Sequence, residues 1–410
     1  MNVLYITASD SEGRHFNGYL LHKELKKLGH VSTIAVNKSE IDEPDIEQIG
    51  GDFLKYANAA TVRLERFLSL YSVLPITALK LYFKNYYRKS DIIHLQLTHA
   101  LPFFSIFNVP LMSKRHKMVW TIHDPWIMSG HCIHSLDCQR WMNGCGNCPD
   151  LSLPIPVKKD RTALMWKIKK LVMHNANLNL VVASNWMMER VKKSPILSHF
   201  KCHLIPFGID NEIYKKQDKN ESRRRLGIPS DANVLAFRWT PYFIVKGSEF
   251  IKRALEELNI KKNTYLILFD APHTYGLDNL NDCYRFVDLG WVQDPRKVAS
   301  ALSAADIFLM PSIAESFGMM AIEAMACGTP VIVFEGTSLQ SVIKSPNGGV
   351  AVPFKDHKAL AKAITDLLKN SKRRQELSES GIRIVREEYT LENYVERHLE
   401  LYKSIMNNKL

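Results

Sequence analysis

Segments that read as a buried strand, a loop and an amphipathic helix recur along this chain. The run breaks once, at Pro206 and Gly208 of "HLIPFGID", and then starts again. That alternation restricts the fold more than any other feature. Neighbouring parallel strands need a crossover, which a helix supplies, so the pattern predicts parallel sheets wrapped by helices. In the first run the strands are "NVLYITAS", "HVSTIAV", "DIIHLQL", "KMVWTIHD" and "NLNLVVAS", with helices "YLLHKELKKLG" and "NWMMERVKK". In the second they are "NVLAFRW", "TYLILFD", "YRFVDLGW", "DIFLMPS", "TPVIVFE" and "GVAVPF", with a helix "KGSEFIKRALEELN" and another over "DPRKVASALSAA" that Asp294 can cap. The expected class is α/β, as two doubly wound, Rossmann-like domains facing a central cleft, with ligands beyond the carboxyl ends of the strands.

A chain of 410 residues fits two domains. The expected boundaries are 1–206 for the first domain, with a Cys-rich insert at 129–150, and 207–385 for the second. A helix at 386–410 is free to cross back to the first. No apolar run reaches the length of a membrane-spanning helix. The chain opens directly on a strand pattern without a charged n-region, so no signal peptide is expected and a cytoplasmic location is. The seven cysteines would be reduced there. Of the net charge of +12, residues 1–206 hold most, with 26 Lys and Arg against 16 Asp and Glu. That excess, with the aromatic and basic stretch "LKLYFKNYYRK" at 79–89, suggests an interfacial helix and a peripheral position at the inner face of a membrane. No nucleic-acid-binding signature accompanies the charge.

In "ESFGMMAIEAMACGTPVI", residues 315–332, Glu315 and Glu323 lie eight positions apart around a helix start. The unpaired amides of Phe317, Gly318 and Met319 there make a phosphate seat, and Gly318 allows close approach. By the rise per residue the two carboxylates stand roughly 8–12 Å apart, the span of a nucleotide-sugar. Carboxylates accept hydrogen bonds from sugar and ribose hydroxyls. Arg238 and Lys246, in "FRWTPYFIVKG", would supply the cations for a diphosphate.

These motifs resemble the retaining glycosyltransferases of family 4, of GT-B fold, the group 1 glycosyl transferases. "PSIAESFGMMAIEAMACGTPVIVFE" is similar to their C-terminal signature, and "IPFGIDNEIYKK" to their interdomain segment, with Phe207 where asparagine is common. The resemblance covers almost all of 200–390 and is looser before it. It implies an acceptor-binding first domain and a nucleotide-sugar-binding second one. Arg238 and Lys246 would bind the donor diphosphate, Glu315 the donor sugar and Glu323 the ribose. Gly18 matches an N-terminal glycine loop, with Asn17 where a second glycine is frequent. His123 of "TIHD" falls where the family keeps a histidine near the reacting sugar. Gln340 and Ser341 of "TSLQSVI" depart from a Pro-Glu pair. Catalysis would be electrostatic, through Arg238, Lys246 and the helix amides, with no cofactor required.

"HCIHSLDCQRWMNGCGNC" spaces Cys132, Cys138, Cys145 and Cys148 as C-x5-C-x6-C-x2-C. In a reduced compartment this spacing favours a structural tetrahedral zinc over disulfides or unligated thiols. A subset of family 4 resembles this Cys-rich loop. The leading expectation is a retaining hexosyltransferase moving a sugar from a nucleoside diphosphate to a glycan or lipid-linked acceptor in surface polysaccharide biosynthesis. The alternatives are a GT-B nucleotide-sugar epimerase and a non-catalytic, zinc-stabilised binding protein.

Overall fold

Every strand pair among the described residues is parallel, as the alternation requires. The structure, a computed structural model, describes residues 1–10, 18–50, 54–99, 103–152, 157–240, 244–259, 263–270 and 276–407. Two compact units divide the chain: Met1–Ile205 with Tyr394–Leu410, and Pro206–Asn393.

Unit 1 holds strands β1 (Asn2–Ser9), β2 (Val31–Lys38), β3 (Ile46–Gln48), β4 (Ile92–Leu95), β5 (Lys117–Thr121), β6 (Asn179–Val182) and β7 (Cys202–Leu204), in the order β3-β2-β1-β4-β5-β6-β7. The inner strands are nearly continuous buried runs, such as "VLYITA" of β1, because helices cover both faces of a parallel sheet. Leu4, Ile6, Ile93, Leu95, Trp120 and Leu180 join one core cluster. The chain leaves β1 for β2 and β3 on one side, then returns to β4 on the other. The β1/β4 gap is therefore a topological switch point, where ligand sites form beyond the strand ends. The last helix, Leu391–Asn407, belongs to unit 1 from Tyr394 onward. There the Tyr402 hydroxyl lies 3.1 Å from that of Tyr5 and 2.6 Å from His94 Nδ1.

Unit 2 repeats the plan with β8 (Asn233–Arg238), β9 (Thr264–Phe269), β10 (Arg285–Asp288), β11 (Ile307–Met310), β12 (Val331–Phe334) and β13 (Gly349–Val352), ordered β10-β9-β8-β11-β12-β13. Its switch point lies between β8 and β11. Asp294 caps the helix Pro295–Ala304, accepting the Arg296 amide at 2.9 Å. β3 and β7 are three-residue edge strands, too short to leave a periodic trace in sequence.

One expectation fails. The stretch 79–89 is not an interfacial helix: a 3-10 segment Thr77–Phe83 and a single turn Asn85–Arg88 are separated by extended backbone at Lys84. Its aromatics are spent on the core. Tyr87 is buried there, and Tyr82 and Tyr86 pack against the same cluster. Leu79 and Phe83 stay exposed, too few to form an apolar face.

Candidate active site

At the switch point of unit 2, two loops cross and hold each other. The loop after β8 carries Val245, whose carbonyl accepts the Ile313 amide at 2.8 Å from the loop after β11. That bond sets Lys246 beside Glu315, with Lys246 Nζ donating to Glu315 Oε2 at 2.7 Å. The Ser338 hydroxyl donates to the Glu315 carbonyl at 2.7 Å and fixes the second loop from below. Arg238, the last residue of β8, pairs through Nε with the Asp270 carboxylate beyond β9. Each candidate phosphate-binding cation thus already faces a carboxylate. Asp270 escaped the sequence reading, although an acid closing the apolar strand "TYLILFD" was its visible signal.

The helix Met319–Ala326 starts at Gly318, whose φ of 105° is a left-handed value that favours glycine. A Cβ there would sit 2.2 Å from Leu339 Cδ2. The first amides of this helix, with those of Phe317 and Gly318 ahead of it, present the positive end of its dipole. The Phe317 ring is core, packed edge-on to Phe207 and Tyr389 at centroid distances of 5.3 and 5.7 Å. Glu323 is buried one turn into the helix. Burial raises its carboxyl to about 7, against the pull of Arg238 and of a hydrogen bond from Tyr214. Arg238, Lys246, Glu315, Glu323 and the 317–319 amides therefore share the carboxyl edge of one sheet. Gln340 and Ser341 lie in the short helix Ser338–Val342, and Gln340 Oε1 accepts the Gly336 amide at 3.0 Å.

Gly18 and His123 belong to unit 1, at the carboxyl edge of its sheet. Gly18 begins the helix Tyr19–Lys27 with φ of 94°, and a Cβ on it would lie 2.9 Å from the Tyr5 ring and 3.3 Å from Gln96 Cγ. Asn17 lies outside the described residues. Gln96, just past β4, joins the two positions: its Oε1 stands 2.7 Å from His123 Nε2. Burial lowers the His123 imidazole to about 3, with Asp124 resisting, so it is neutral at physiological pH. The Gln96 amide nitrogen is buried with no partner among the described residues. Burial works to raise the Asp124 carboxyl, but His99 Nε2 at 3.1 Å and the Trp126 amide bring it below its ordinary value. Gln96, His99 and Asp124 were not singled out from sequence.

The four cysteines of 129–150 are half-buried and unbridged. As their side chains stand, no three His, Cys, Asp or Glu among the described residues form a group able to hold a metal ion. Two of the thiols have local neighbours: Cys145 Sγ accepts the Gly130 amide at 3.2 Å, and Cys148 Sγ lies 3.4 Å from His131 Nε2.

Two Rossmann-like parallel-sheet domains in series, each with its polar groups beyond the strand ends at the switch point, make this an α/β protein of GT-B fold. The same fold is seen in the structure of HepE from Anabaena in complex with UDP and glucose. The likeness covers 98% of this chain and 100% of that one, with a TM-score of 0.68 at 14% identity. WaaG, a glycosyltransferase involved in lipopolysaccharide biosynthesis, is similar over 98% of this chain and 99% of its own, with a TM-score of 0.65 at 16% identity.

Residues 218–383, which lie within unit 2, match the family model of Glycosyl transferases group 1. A D-inositol 3-phosphate glycosyltransferase of Stackebrandtia nassauensis is 30% identical over 198 residues. That stretch is 44% of this chain and 44% of the relative, so the chain spans less than half of that protein's length in the match.

Proposed function

We propose that this chain is a retaining hexosyltransferase of family 4, using a nucleoside-diphosphate sugar and a hydroxyl acceptor on a glycan or lipid-linked sugar. The observation that carries the reading is the crossing of the β8 and β11 loops, which sets Lys246 on Glu315 at a glycine-opened helix start. Lys246, Arg238 and the helix amides are the groups to take up charge on a departing diphosphate. Glu315 is placed to accept hydroxyls of the donor sugar, and Glu323 those of the ribose. In unit 1, neutral His123 and the unsatisfied Gln96 amide suit recognition of sugar hydroxyls, and Gly18 lets a ligand approach the backbone. No part of this scheme requires a cofactor.

The test is a thermal-shift panel of UDP-, GDP-, ADP- and dTDP-sugars, followed by NMR of the product anomer. One donor should raise the melting temperature, by about 2.7 kcal/mol of stabilisation at a hundredfold excess over its Kd. Failure of every donor, or an inverted product, overturns the reading. The selected nucleoside diphosphate should then bind about tenfold more weakly at pH 6 than at pH 8, because Glu323 gains its proton on the way down through about 7. Glu323→Gln should flatten that profile in calorimetry. The same shift has an opposite sign for folding: the native carboxyl holds a proton that the unfolded chain releases near 4.5, so stability falls as pH rises from about 4.5 to 7.

A role in surface polysaccharide biosynthesis at the inner face of a membrane agrees with the lipopolysaccharide role of WaaG. It also agrees with the helix Leu54–Leu68, whose Leu64 and Phe67 are exposed beside Arg63 and Arg66. No helix among the described residues is long and apolar enough to cross a membrane. Co-sedimentation with anionic but not neutral vesicles is expected, and its loss in Phe67→Glu; equal recovery with both vesicles rejects the membrane role.

A further inference from the structure

The Cys-rich segment is the one motif that the transferase reading leaves without a task. Its four thiols come from positions up to sixteen residues apart, yet Cys132, Cys138, Cys145 and Cys148 all line one cavity of about 20 Å³. That volume admits a single ion or water-sized body. The backbone around it is shaped for sulfur. Gly144, Cys145, Gly146 and Asn147 all take positive φ, at 124°, 53°, 95° and 47°. The Gly130 amide, also on the cavity lining, donates to Cys145 Sγ.

Two cations stand against this cluster, one of them fully buried and the other half-buried. Lys169 is fully buried, and its Nζ donates to the carbonyls of Trp126 at 2.6 Å and Ser129 at 2.9 Å. The Arg190 guanidinium lies 4.1 Å from the Trp186 ring and 5.2 Å from the Trp141 ring, and donates to Ser135 Oγ at 3.1 Å. Neither makes an ion pair with a carboxylate among the described residues. For Lys169 the Asp124 carboxylate lies within electrostatic reach, and a buried cation gains from each further negative charge beside it. Neutral thiols offer none, but thiolates would, and Cys132 lies within electrostatic reach of both cations.

We propose that Cys132, Cys138, Cys145 and Cys148 bind one zinc ion as a closed, structural tetrathiolate centre whose charge faces Lys169 and Arg190. Four thiols release four protons and one divalent ion enters, which leaves the centre at −2 and gives Lys169 and Arg190 a negative group to face. Coordination calls for the thiols to converge further on the cavity that each already borders, since no three of them stand close enough to hold an ion as they are. With four sulfur ligands no site is open for catalysis. The ion would instead tie the 129–150 segment to the Thr162–His174 helix through Lys169, just beyond His123 and Asp124.

The experiment uses the full chain purified without chelator, with metal content by mass spectrometry and thiols titrated before and after denaturation. One zinc per chain is expected, with the four cluster thiols reacting only after zinc is released. Lys169→Met should retain zinc about 10- to 100-fold less tightly against a competing chelator, while Lys170→Met should not. Zinc below about half an equivalent with all thiols titrating natively overturns the proposal. So do disulfide-linked peptides from this segment, or iron with acid-labile sulfide. Cys145→Ser should lose the metal; if that variant does not fold, the wild-type metal content and thiol count decide alone.

Discussion

Lys246→Ala is expected to lower kcat about 100- to 1000-fold, the usual effect of deleting one preorganised group that meets developing charge. In the proposed reaction the leaving nucleoside diphosphate gains negative charge as its bond to the sugar breaks, and Lys246 is the ammonium that the crossing loops fix at the helix start. In the free protein its charge is matched by Glu315. The pair is partly exposed, with side chains 24% and 16% accessible, so its loss should move the fold's stability by no more than about 1 kcal/mol. Activity and melting temperature measured on one preparation therefore separate chemistry from folding. Glu315→Gln completes the argument. It should abolish transfer yet leave nucleoside diphosphate affinity within a few-fold, because the nucleotide without its sugar does not call on that carboxylate. Turnover within tenfold of wild type in Lys246→Ala would remove the residue from the mechanism.

Gly247→Ala is expected to destabilise unit 2 by about 2–5 kcal/mol, combining a left-handed backbone with overpacking against an unyielding neighbour. Gly247 has φ of 74°, and a Cβ on it would lie 1.9 Å from the Pro311 carbonyl oxygen. That oxygen is backbone at the end of β11, so no rotamer change relieves the contact. One loop or the other must shift, and either shift moves Lys246 from Glu315. Urea unfolding followed with turnover should show both falling together. Gly227→Ala is the control: φ there is 68° but nothing lies within 4 Å, so only the backbone cost of about 1–2 kcal/mol applies. Equal effects in the two variants would show that the crossing is not tight.

Much of this site was legible in the chain because it is local. Glu315, Gly318 and Glu323 fall in one strand–loop–helix unit, whose spacing the helical rise fixes before any tertiary contact forms. Asp294 caps its helix as its position in sequence implies, for the same reason. Pairings between units of sequence carry no such trace. Asp270 meets Arg238 from 32 residues away, and Tyr214 reaches Glu323 from over a hundred. Gln96 links Gly18 and His123 only because β1, β4 and β5 are neighbours in the sheet. The 79–89 stretch shows the reverse limit. Its mixed aromatic and basic composition reads as a surface for lipid, but Tyr87 had a core to enter, and burial there outweighs any interfacial gain.

By itself the sequence determined the two parallel sheets, their helical crossovers and the placing of a carboxylate pair around a helix start. Periodicity and turn chemistry act over a few residues and need nothing else. Only the tertiary structure decided which charges meet, which aromatics are buried and that four cysteines border one small cavity. Those outcomes depend on strand order, and strand order is chosen by the packing of whole sheets rather than by any short run of residues.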